Sequence, residues 1–292
     1  MGVAVQSHWF SVGSLVPYVE SGVGAVAIQS VPNPSHGPRA LELLRSREEP
    51  STVLEHLLEG DSEKAFRQIG IVDHLGRVAS YTGDSCIPEA GHLIGEQYSV
   101  QANIMGRASV WRAMADAFEA ADGDLTERLM TALEAAETEG GDIRGKQSAA
   151  IVVVRPEATG IASEDRLFDL RVEDHPHPLR ELRRLIQLRR AYIALIEGDE
   201  FLSKSDFEAA LNAYQAASEM VPDSATGGEA AFWTGIAFAA SGQFDEASVF
   251  LRRAQTQWDG WVRLVPRLTA SGIISDNDLA ERLRIAMVDA DD

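Results

Sequence analysis

The sequence predicts an α+β fold in which antiparallel sheets stack beneath pairs of helices, followed by an all-helical C-terminal region. Apolar segments of strand length are separated by hairpin-type turns, and the helical segments arrive in consecutive pairs. Paired helices argue against the βαβ alternation of a parallel sheet. No strand pattern follows Pro178, so we expect one domain over 1–177 and a helical domain over 178–292.

Composition and charge exclude several classes of protein. The chain has 292 residues, 45% of them hydrophobic and 24% charged, which is typical of globular domains. Its net charge of −19 argues against a nucleic-acid partner or an anionic membrane surface, since both require a basic face. The single cysteine, Cys86, fits a reducing compartment. With no signal-like start and no apolar run near 20 residues, we expect a cytoplasmic protein.

The first part of the chain alternates strands and helix pairs. Two apolar stretches at 2–10 and 22–31 predict strands on either side of an irregular turn, and helical spacing follows over 37–45 and 51–58. Three more strands are then predicted, the first two joined by the hairpin signal Asp73-His74-Leu75-Gly76; they lie at 66–72, 77–82 and 98–104.

A second helix pair and two further strands complete the predicted sheets. The helices cover 108–121 and 125–139, and the strands cover 148–154 and 167–172. The predicted order is therefore ββ–αα–βββ–αα–ββ. Hairpin-connected strands with helix pairs between them favour stacked antiparallel sheets, each covered by a helical layer.

A glycine-rich loop runs from Gly140 to Ser148, directly into the strand at 148–154. Its three glycines permit positive φ and a close approach to a ligand. Asp142, Arg144 and Gln147 offer an acceptor, a fork-shaped donor and an amide at one strand end. The alternative interpretation is a helix C-cap followed by a solvated loop, because the spacing matches no catalytic motif.

The C-terminal region contains an arginine-rich helix and a repeat. The arginines between 180 and 190 lie around an apolar stripe and could face solvent or dock an acidic partner. The pattern at Phe207, Ala210, Tyr214 and Ala217 returns at an offset of about 37 residues, close to the tetratricopeptide period of about 34. Gly198 and Gly235 occupy the positions where such a repeat needs a small residue. A final helix is predicted over 277–287.

Other groups with possible chemistry lack supporting patterns. Cys86 has His92 nearby in sequence, but a lone cysteine is more often a small buried group. Asp174-His175-Pro176-His177 is more typical of a turn before a helix than of a metal site, since no further ligands fall at usable spacing. There is no Gly-x-Ser-x-Gly elbow, no Walker loop and no dinucleotide fingerprint. We therefore predict no cofactor and no metal.

Six stretches of the chain resemble the family known as domain of unknown function 1028, which is usually placed among the N-terminal-nucleophile (Ntn) hydrolases. The resemblance covers about residues 2–195 and rests on Gly2-Val3-Ala4-Val5-Gln6-Ser7, Gly22-Val23-Gly24-Ala25-Val26-Ala27-x-Gln29, Tyr81-Thr82-Gly83, Ser99-Val100-Gln101-x-Asn103, Gly140-Gly141-Asp142-x-Arg144-Gly145-x-Gln147-Ser148-Ala149-Ala150 and Asp169-Leu170-Arg171-Val172-x-Asp174-His175. It implies a four-layer αββα sandwich. Many members carry a C-terminal extension that looks like a peptidoglycan-binding module. The extension here is tetratricopeptide-like instead, so we do not expect this chain to bind the cell wall.

The resemblance also implies a chemistry that this chain does not fully match. Ntn hydrolases use a terminal Thr, Ser or Cys, with its own α-amino group as the general base. Family members typically begin about one strand earlier, with Thr or Ser after Met, whereas this chain begins Met1-Gly2. Three explanations stay open: a start assigned too late, a non-catalytic member, or a family that does not use terminal chemistry.

Two functions are therefore expected from the sequence. The first is a hydrolase of an amide-like C–N bond in a small-molecule substrate; its candidate catalytic residues are Asp142, Arg144, Gln147 and Ser7, and its candidate substrate-binding residues are Gln6, Gln29, Asn33, Gln101, Asn103 and Ser148. The second is a non-catalytic scaffold that grips a protein or peptide partner with the helical repeats. A homo-oligomer is expected in either case.

Overall fold

The computed structural model describes residues 1–204, 206–272 and 277–288. The chain forms two compact units, Met1–Arg184 and Leu185–Asp292. The division falls inside one helix, α6 (Pro178–Ser203), whose first residue is the start predicted for the helical region. In the described residues, no helix has the length and apolarity needed to span a bilayer.

The first unit contains a four-stranded antiparallel sheet covered by a helix pair. Its order is β2-β3-β4-β5, formed by β2 (Pro17–Glu20), β3 (Gly24–Ser30), β4 (Arg67–Asp73) and β5 (Val78–Thr82). Helices α1 (His36–Arg45) and α2 (Pro50–Leu58) pack on one face. Between them lies an apolar cluster whose centre is inaccessible to solvent; it includes Val26, Ile28, Ile69, Ile71, Leu44 and Val53.

A second set of strands lies against the other face of this sheet. It consists of a three-stranded sheet ordered β1-β8-β9 and a hairpin, β6-β7. Their bounds are β1 (Gly2–Ser7), β6 (Gly91–Gly95), β7 (Tyr98–Ala102), β8 (Ser148–Val154) and β9 (Arg166–Val172). Strand β1 contacts β2 and β3, whereas β7 contacts β4 and β5. The two sets therefore pack face to face.

A second helix pair covers the outer side of this second set of strands. Helix α3 (Val110–Ala120) contacts β6 and β7, and α4 (Leu125–Glu139) contacts β1 and β8. Asp124 is the N-cap residue immediately before α4, and its carboxylate accepts a hydrogen bond from the Glu127 amide. The short helix α5 (Ala162–Asp165) precedes β9.

Two strands were not predicted, so the observed order is βββ–αα–ββββ–αα–ββ once the short α5 is set aside. Strand β2 begins at Pro17, which the sequence analysis assigned to an irregular turn; proline is tolerated there because β2 is an edge strand. Strand β6 is a five-residue segment with a glycine at each end, which hides its pattern. The first predicted strand also ends early, at Ser7 rather than residue 10.

Every secondary-structure element among the described residues of the C-terminal part of the chain is a helix. After α6 come α7 (Phe207–Met220), α8 (Asp223–Thr226), α9 (Glu229–Ala240), α10 (Phe244–Gln257), α11 (Gly260–Ala270) and α12 (Asn277–Val288). The repeated small and apolar positions of α7 and α10 are almost fully buried: Ala210, Tyr214, Ala217, Ala247, Leu251 and Ala254. The repeat pattern thus marks the inward faces of two corresponding helices.

The arginine-rich helix uses at least two of its arginines within the chain. Arg183 donates to Glu127 at 2.8 Å and to Glu134 at 2.7 Å, both on α4. The hydrogen bonds that Arg183 donates to the Glu134 carboxylate are the main cause that raises the pKa of its guanidinium. Arg184 pairs with Glu181 one turn earlier on the same helix. Arg183 and Arg184 are therefore paired with carboxylates of this chain, which neither the solvent-facing interpretation nor docking of an acidic partner predicted.

Close packing of α9 against α10 predicts the outcome of a substitution at Gly235. A Cβ there would lie 2.7 Å from Cγ of Leu251, so Gly235→Val should overpack the helix crossing and destabilise the chain by about 1–3 kcal/mol. Ala240→Val, at an exposed position of the same helix, is the matched control. Chemical denaturation monitored by circular dichroism measures both, and equal stability of the two variants would contradict the close crossing.

Candidate functional site

A cavity of about 360 Å³ opens in the first unit, between β1 and β7. Residues 4–7 of β1, together with Trp9 just beyond that strand, form one wall. Residues 98–105, which comprise β7 and the segment that follows it, form the other wall. Strand β3 contributes residues 28–30, while α3 and α4 contribute apolar side chains, among them Met114 and Leu133. The cavity volume lies within the range of small-molecule sites.

Seven of the ten residues predicted for the site line this cavity, although they come from four separate parts of the chain. They are Gln6, Ser7, Gln29, Gln101, Asn103, Asp142 and Arg144. Most of them lie where β1, β3 and β7 end or just beyond, so their side chains are gathered towards one end of the cavity. We call this end the polar mouth, and it consists of these seven residues.

Three predicted residues do not line the cavity, and the side chain of each is hydrogen-bonded elsewhere. Asn33 accepts hydrogen bonds from the amide and the hydroxyl of Ser35, at the turn that begins α1. Gln147 donates to the Asp174 carboxylate at 3.0 Å. Ser148 is fully buried; its hydroxyl accepts from the Val12 amide and donates to the Trp9 carbonyl. These hydrogen bonds stabilise turns next to strands, and the three side chains lie outside the polar mouth.

The carboxylate of Asp142 is the anchor of the glycine-rich loop. Its Oδ1 accepts hydrogen bonds from the backbone amide of Arg144 at 2.9 Å and from Nε of the same residue at 3.0 Å. Its Oδ2 accepts from Nη2 of Arg144 at 2.7 Å and from the backbone amide of His8 at 3.3 Å. Only 4% of the Asp142 side chain is exposed. One carboxylate thus holds the loop together and fastens it to the end of β1.

Electrostatics favour the charged forms of both Asp142 and Arg144. Burial alone would raise the pKa of Asp142, but hydrogen bonds from Arg144 and from the His8 amide outweigh it and lower the pKa of this carboxyl. The same carboxylate raises the pKa of Arg144. The guanidinium of Arg144 therefore binds the carboxylate of Asp142. The two charges cancel, so this pair adds no net charge to the polar mouth.

Glycines make this loop geometry possible, and one of them also ends α4. Gly140 is the C-cap of α4, and its amide donates to the Ala136 carbonyl. Gly140, Gly141 and Gly145 all have positive φ, which a residue with a Cβ rarely adopts. The helix-cap interpretation is correct for Gly140, and the loop beyond it also reaches the cavity.

A buried glutamine that the sequence analysis missed supports the amides of the polar mouth. Gln68 on β4 is inaccessible to solvent; its Nε2 donates to the Ala102 carbonyl at 2.8 Å, and its Oε1 accepts from Nδ2 of Asn103 at 2.9 Å. Ser99 donates to Oε1 of Gln101 at 3.0 Å. Gly70 leaves room for that amide, since a Cβ there would lie 2.7 Å from Oε1 of Gln101. In the sequence, the occurrence of a polar residue within the apolar run of β4 was the feature that could have identified Gln68 as a candidate.

Two residues that line the cavity have an unusual backbone conformation. Ser30 has φ of 67° and Ile104 has φ of 60°, both in the left-handed region. This region is disfavoured for a β-branched residue such as isoleucine and costs on the order of 1–3 kcal/mol. The Ile104 carbonyl accepts a hydrogen bond from the Ile143 amide, which fixes the strained turn against the glycine-rich loop.

The other candidate groups form no comparable site. Cys86 and His92 both line a second, more open cavity of about 560 Å³, but Nδ1 of His92 is hydrogen-bonded to Thr82 at 2.9 Å. The buried Cys86 thiol contacts the Arg67 carbonyl. His175 accepts a hydrogen bond from the His177 amide, as expected of a turn. Within 1–204, 206–272 and 277–288, no group of three or more His, Cys, Asp or Glu side chains is placed to hold a metal ion.

Comparison with known proteins identifies relatives of the first unit. The model of a family of unknown function, DUF1028, matches residues 1–182. The crystal structure of protein SPO2555 from Silicibacter pomeroyi, assigned to the same family model, is 31% identical in sequence with a TM-score of 0.58. The similarity covers 64% of this chain and 78% of that one. A search among curated proteins finds no match.

Removal of the Asp142 charge should destabilise the first unit more than removal of a more accessible charge, that of Asp169. Asp142→Asn weakens four hydrogen bonds at a buried position, so we expect a loss of about 1–3 kcal/mol in the free energy of unfolding. Asp169→Asn, which affects a more exposed pair with Arg166, should cost less than about 1 kcal/mol. Urea denaturation compares the two, and a cost for Asp142→Asn no larger than that of the control would contradict the anchoring role.

The lowered pKa of Asp142 also predicts a pH dependence. Since the folded state favours the carboxylate, its contribution is present above the ordinary carboxyl pKa of about 3.9 and is lost as pH falls through the lower folded value. NMR titration of the Arg144 amide should therefore show a transition below that ordinary value. The transition should be absent from Asp142→Asn, and a midpoint above about 4 would contradict the assignment.

Proposed function

Because the chain belongs to the DUF1028 family, we propose that it is a hydrolase acting on an amide-like C–N bond of a small molecule, with its substrate in the polar mouth. The convergence of seven predicted residues on one cavity carries this proposal. The resemblance to Ntn hydrolases supports it further. Helix pairs that pack on the outer sides of two facing sets of strands are the arrangement expected of an αββα sandwich.

The side chains of the polar mouth suit a neutral, planar substrate group. Four amides, those of Gln6, Gln29, Gln101 and Asn103, each combine donors and an acceptor that can pair with both sides of an amide bond. Amide N–H groups can also stabilise the oxyanion of a tetrahedral intermediate. Asp142 and Arg144 neutralise each other, so they orient the substrate by hydrogen bonding rather than attract a charged one.

Ser7 is the catalytic candidate in the polar mouth that carries a hydroxyl, but its surroundings offer it no activation. In the part of the chain that the structure describes, no histidine or carboxylate is hydrogen-bonded to that hydroxyl. A serine without a base is a weak nucleophile. The proposed reaction therefore needs an attacking group with its own base, which is the property of a terminal Thr, Ser or Cys with a free α-amino group.

Turnover of a panel of small amides by protein from its own host tests the proposal. Ammonia and amine release should be detectable with wild type, and Gln101→Ala should lower kcat/KM by about 10²-fold if this amide stabilises the oxyanion. Asn33→Ala, which changes an amide outside the cavity, is the matched control and should retain activity. Equal activity of the two variants would indicate that the site lies elsewhere in the molecule. A complete lack of turnover would favour a non-catalytic scaffold.

The second function is a scaffold that binds a protein or peptide through tetratricopeptide-like repeats. The burial of corresponding residues in α7 and α10 supports it, because such repeats stack on small inward-facing positions. A chain ending at His177, checked for folding by circular dichroism, separates the two functions. Amide turnover should survive this truncation under the hydrolase proposal, whereas partner binding should be lost under the scaffold proposal.

A further inference from the structure

The orientation of the buried Gln68 amide is set by two backbone carbonyl groups. Its Nε2 lies 2.8 Å from the Ala102 carbonyl oxygen and 3.2 Å from that of Gly91, two residues that face each other in the β6-β7 hairpin. It also lies 3.0 Å from the Thr82 hydroxyl. Carbonyl oxygens only accept hydrogen bonds, so the end of the amide that meets them must be its NH2 group. Oε1 of Gln68 therefore points the other way, towards Asn103.

This orientation in turn fixes the side-chain amide of Asn103. Because Oε1 of Gln68 only accepts, the atom of Asn103 that lies 2.9 Å from it must be Nδ2. Oδ1 of Asn103 is then the acceptor that remains, and it has no hydrogen-bond partner in the part of the chain that the structure describes. Asn103 therefore offers the polar mouth an acceptor whose direction the protein interior has already set.

The side-chain amide of Gln101 is held in the opposite sense. Its Oε1 accepts from the Ser99 hydroxyl at 3.0 Å, which leaves Nε2 as a donor without a partner among the described residues. A Cβ on Gly70 would lie 2.7 Å from Oε1 and 2.9 Å from Nε2, so both ends of this amide lie close to the backbone of β4. Gln101 thus offers a donor where Asn103 offers an acceptor.

The free donor and the free acceptor lie next to each other. Gln101 and Asn103 are two residues apart, and both side chains line the cavity. Both also meet the same face of β4, because Gly70 and Gln68 are two residues apart on that strand. Positions with this spacing are about 7 Å apart, a distance that one amide group and its two hydrogen bonds can bridge.

Such a pair selects the geometry of a bound amide as well as its polarity. A primary or cyclic amide carries an N–H on the same side as its carbonyl oxygen, so one edge can donate to Asn103 and accept from Gln101. In an open-chain secondary amide the trans form places N–H and C=O on opposite sides, and the cis form is rare. A carboxylate has no hydrogen to donate, so it would leave Oδ1 of Asn103 facing another acceptor.

The rest of the cavity indicates what kind of group the amide is attached to. Much of the lining is apolar and includes Val100, Phe118 and Leu133. The paired charges of Asp142 and Arg144 add no net charge at the mouth. An uncharged, apolar acyl group therefore suits the space beyond the amide pair.

We propose that the polar mouth recognises a primary or cyclic amide of an apolar acyl group, with Gln101 donating to its carbonyl oxygen and Asn103 accepting from its N–H. Gln68 is a positioning residue, since it sets the direction of the Asn103 amide and does not line the cavity. That such an amide is the substrate rests on the proposed function, whereas its binding does not. The carboxylate that hydrolysis would release is bound weakly, because it lacks the N–H.

Compounds with one benzoyl framework test this selection on the full chain. Isoindolinone and N-methylbenzamide are secondary amides of similar size, but ring closure places the N–H of isoindolinone beside its carbonyl oxygen. Isoindolinone and benzamide should bind at least about tenfold more tightly than N-methylbenzamide and benzoate, because the latter two leave the Asn103 acceptor unpaired.

NMR titration of the side-chain NH2 resonances of Gln101 and Asn103 measures these dissociation constants. Binding of N-methylbenzamide or benzoate as tight as that of isoindolinone would overturn the proposal. A failure of isoindolinone to shift either resonance would overturn it as well.

Removal of the acceptor tests the role of Asn103. Asn103→Ala should weaken the binding of isoindolinone by about tenfold and leave that of N-methylbenzamide unchanged, because only the first compound uses Oδ1. Asn33→Ala, whose amide lies outside the cavity, is the matched control and should keep the full selectivity. An equal effect of Asn103→Ala on the two compounds would contradict the assignment.

A substitution at Gln68 tests whether the direction of the acceptor matters. Gln68→Leu leaves Asn103 in place but frees its amide to rotate, so benzoate should gain affinity relative to isoindolinone. General damage to the cavity would not produce such a gain. An unchanged ratio of the two affinities in a variant that circular dichroism shows to be folded would contradict the positioning role.

The titrations and the turnover assay can fail separately. Selective binding of isoindolinone by a protein that turns over no amide would contradict the hydrolase proposal and support this one. Turnover by a protein that binds N-methylbenzamide as tightly as isoindolinone would support the hydrolase proposal and overturn this one.

Discussion

The hydrogen bonds to the Asp142 carboxylate hold together the parts of the first unit on which its cavity depends. They close the glycine-rich loop through Arg144 and fasten it to the end of β1 through the His8 amide. The same loop is bonded to the continuation of β7, since Gly106 donates to the Gly141 carbonyl and Ile143 to the Ile104 carbonyl. One buried carboxylate therefore organises the connection between two strands that do not pair with each other.

This arrangement explains why the cavity is polar at one end and apolar inside. At the mouth the strands end, and the side chains of Gln101 and Asn103 are supported by Ser99 and by the buried Gln68. Much of the remaining lining is apolar and includes Val5, Val100 and Leu133.

Much of the architecture follows from local patterns in the sequence. The helix pairs were predicted from their helical spacing, the hairpin at Asp73 from its turn residues, and the buried strand β8 from its continuous apolar run. Strands β2 and β6 were missed, one because it begins with Pro17 and the other because glycine occupies both of its ends. In the helical unit the repeat pattern identified buried residues correctly, since 3.6-residue periodicity relates sequence directly to a helix face.

The sequence by itself indicated the family, the order of most elements, the helical character of the C-terminal region and ten candidate site residues, of which seven line the cavity. It could not separate Asn33, Gln147 and Ser148 from the seven residues that line the cavity, because all ten lie at or near strand ends. Only the tertiary structure made that separation, since it depends on which strand ends meet across the two sets of strands. Strand pairing is likewise a tertiary property: in the described residues β1 pairs with β8 and β7 with β6, and such relations between distant segments are not recorded in any local pattern.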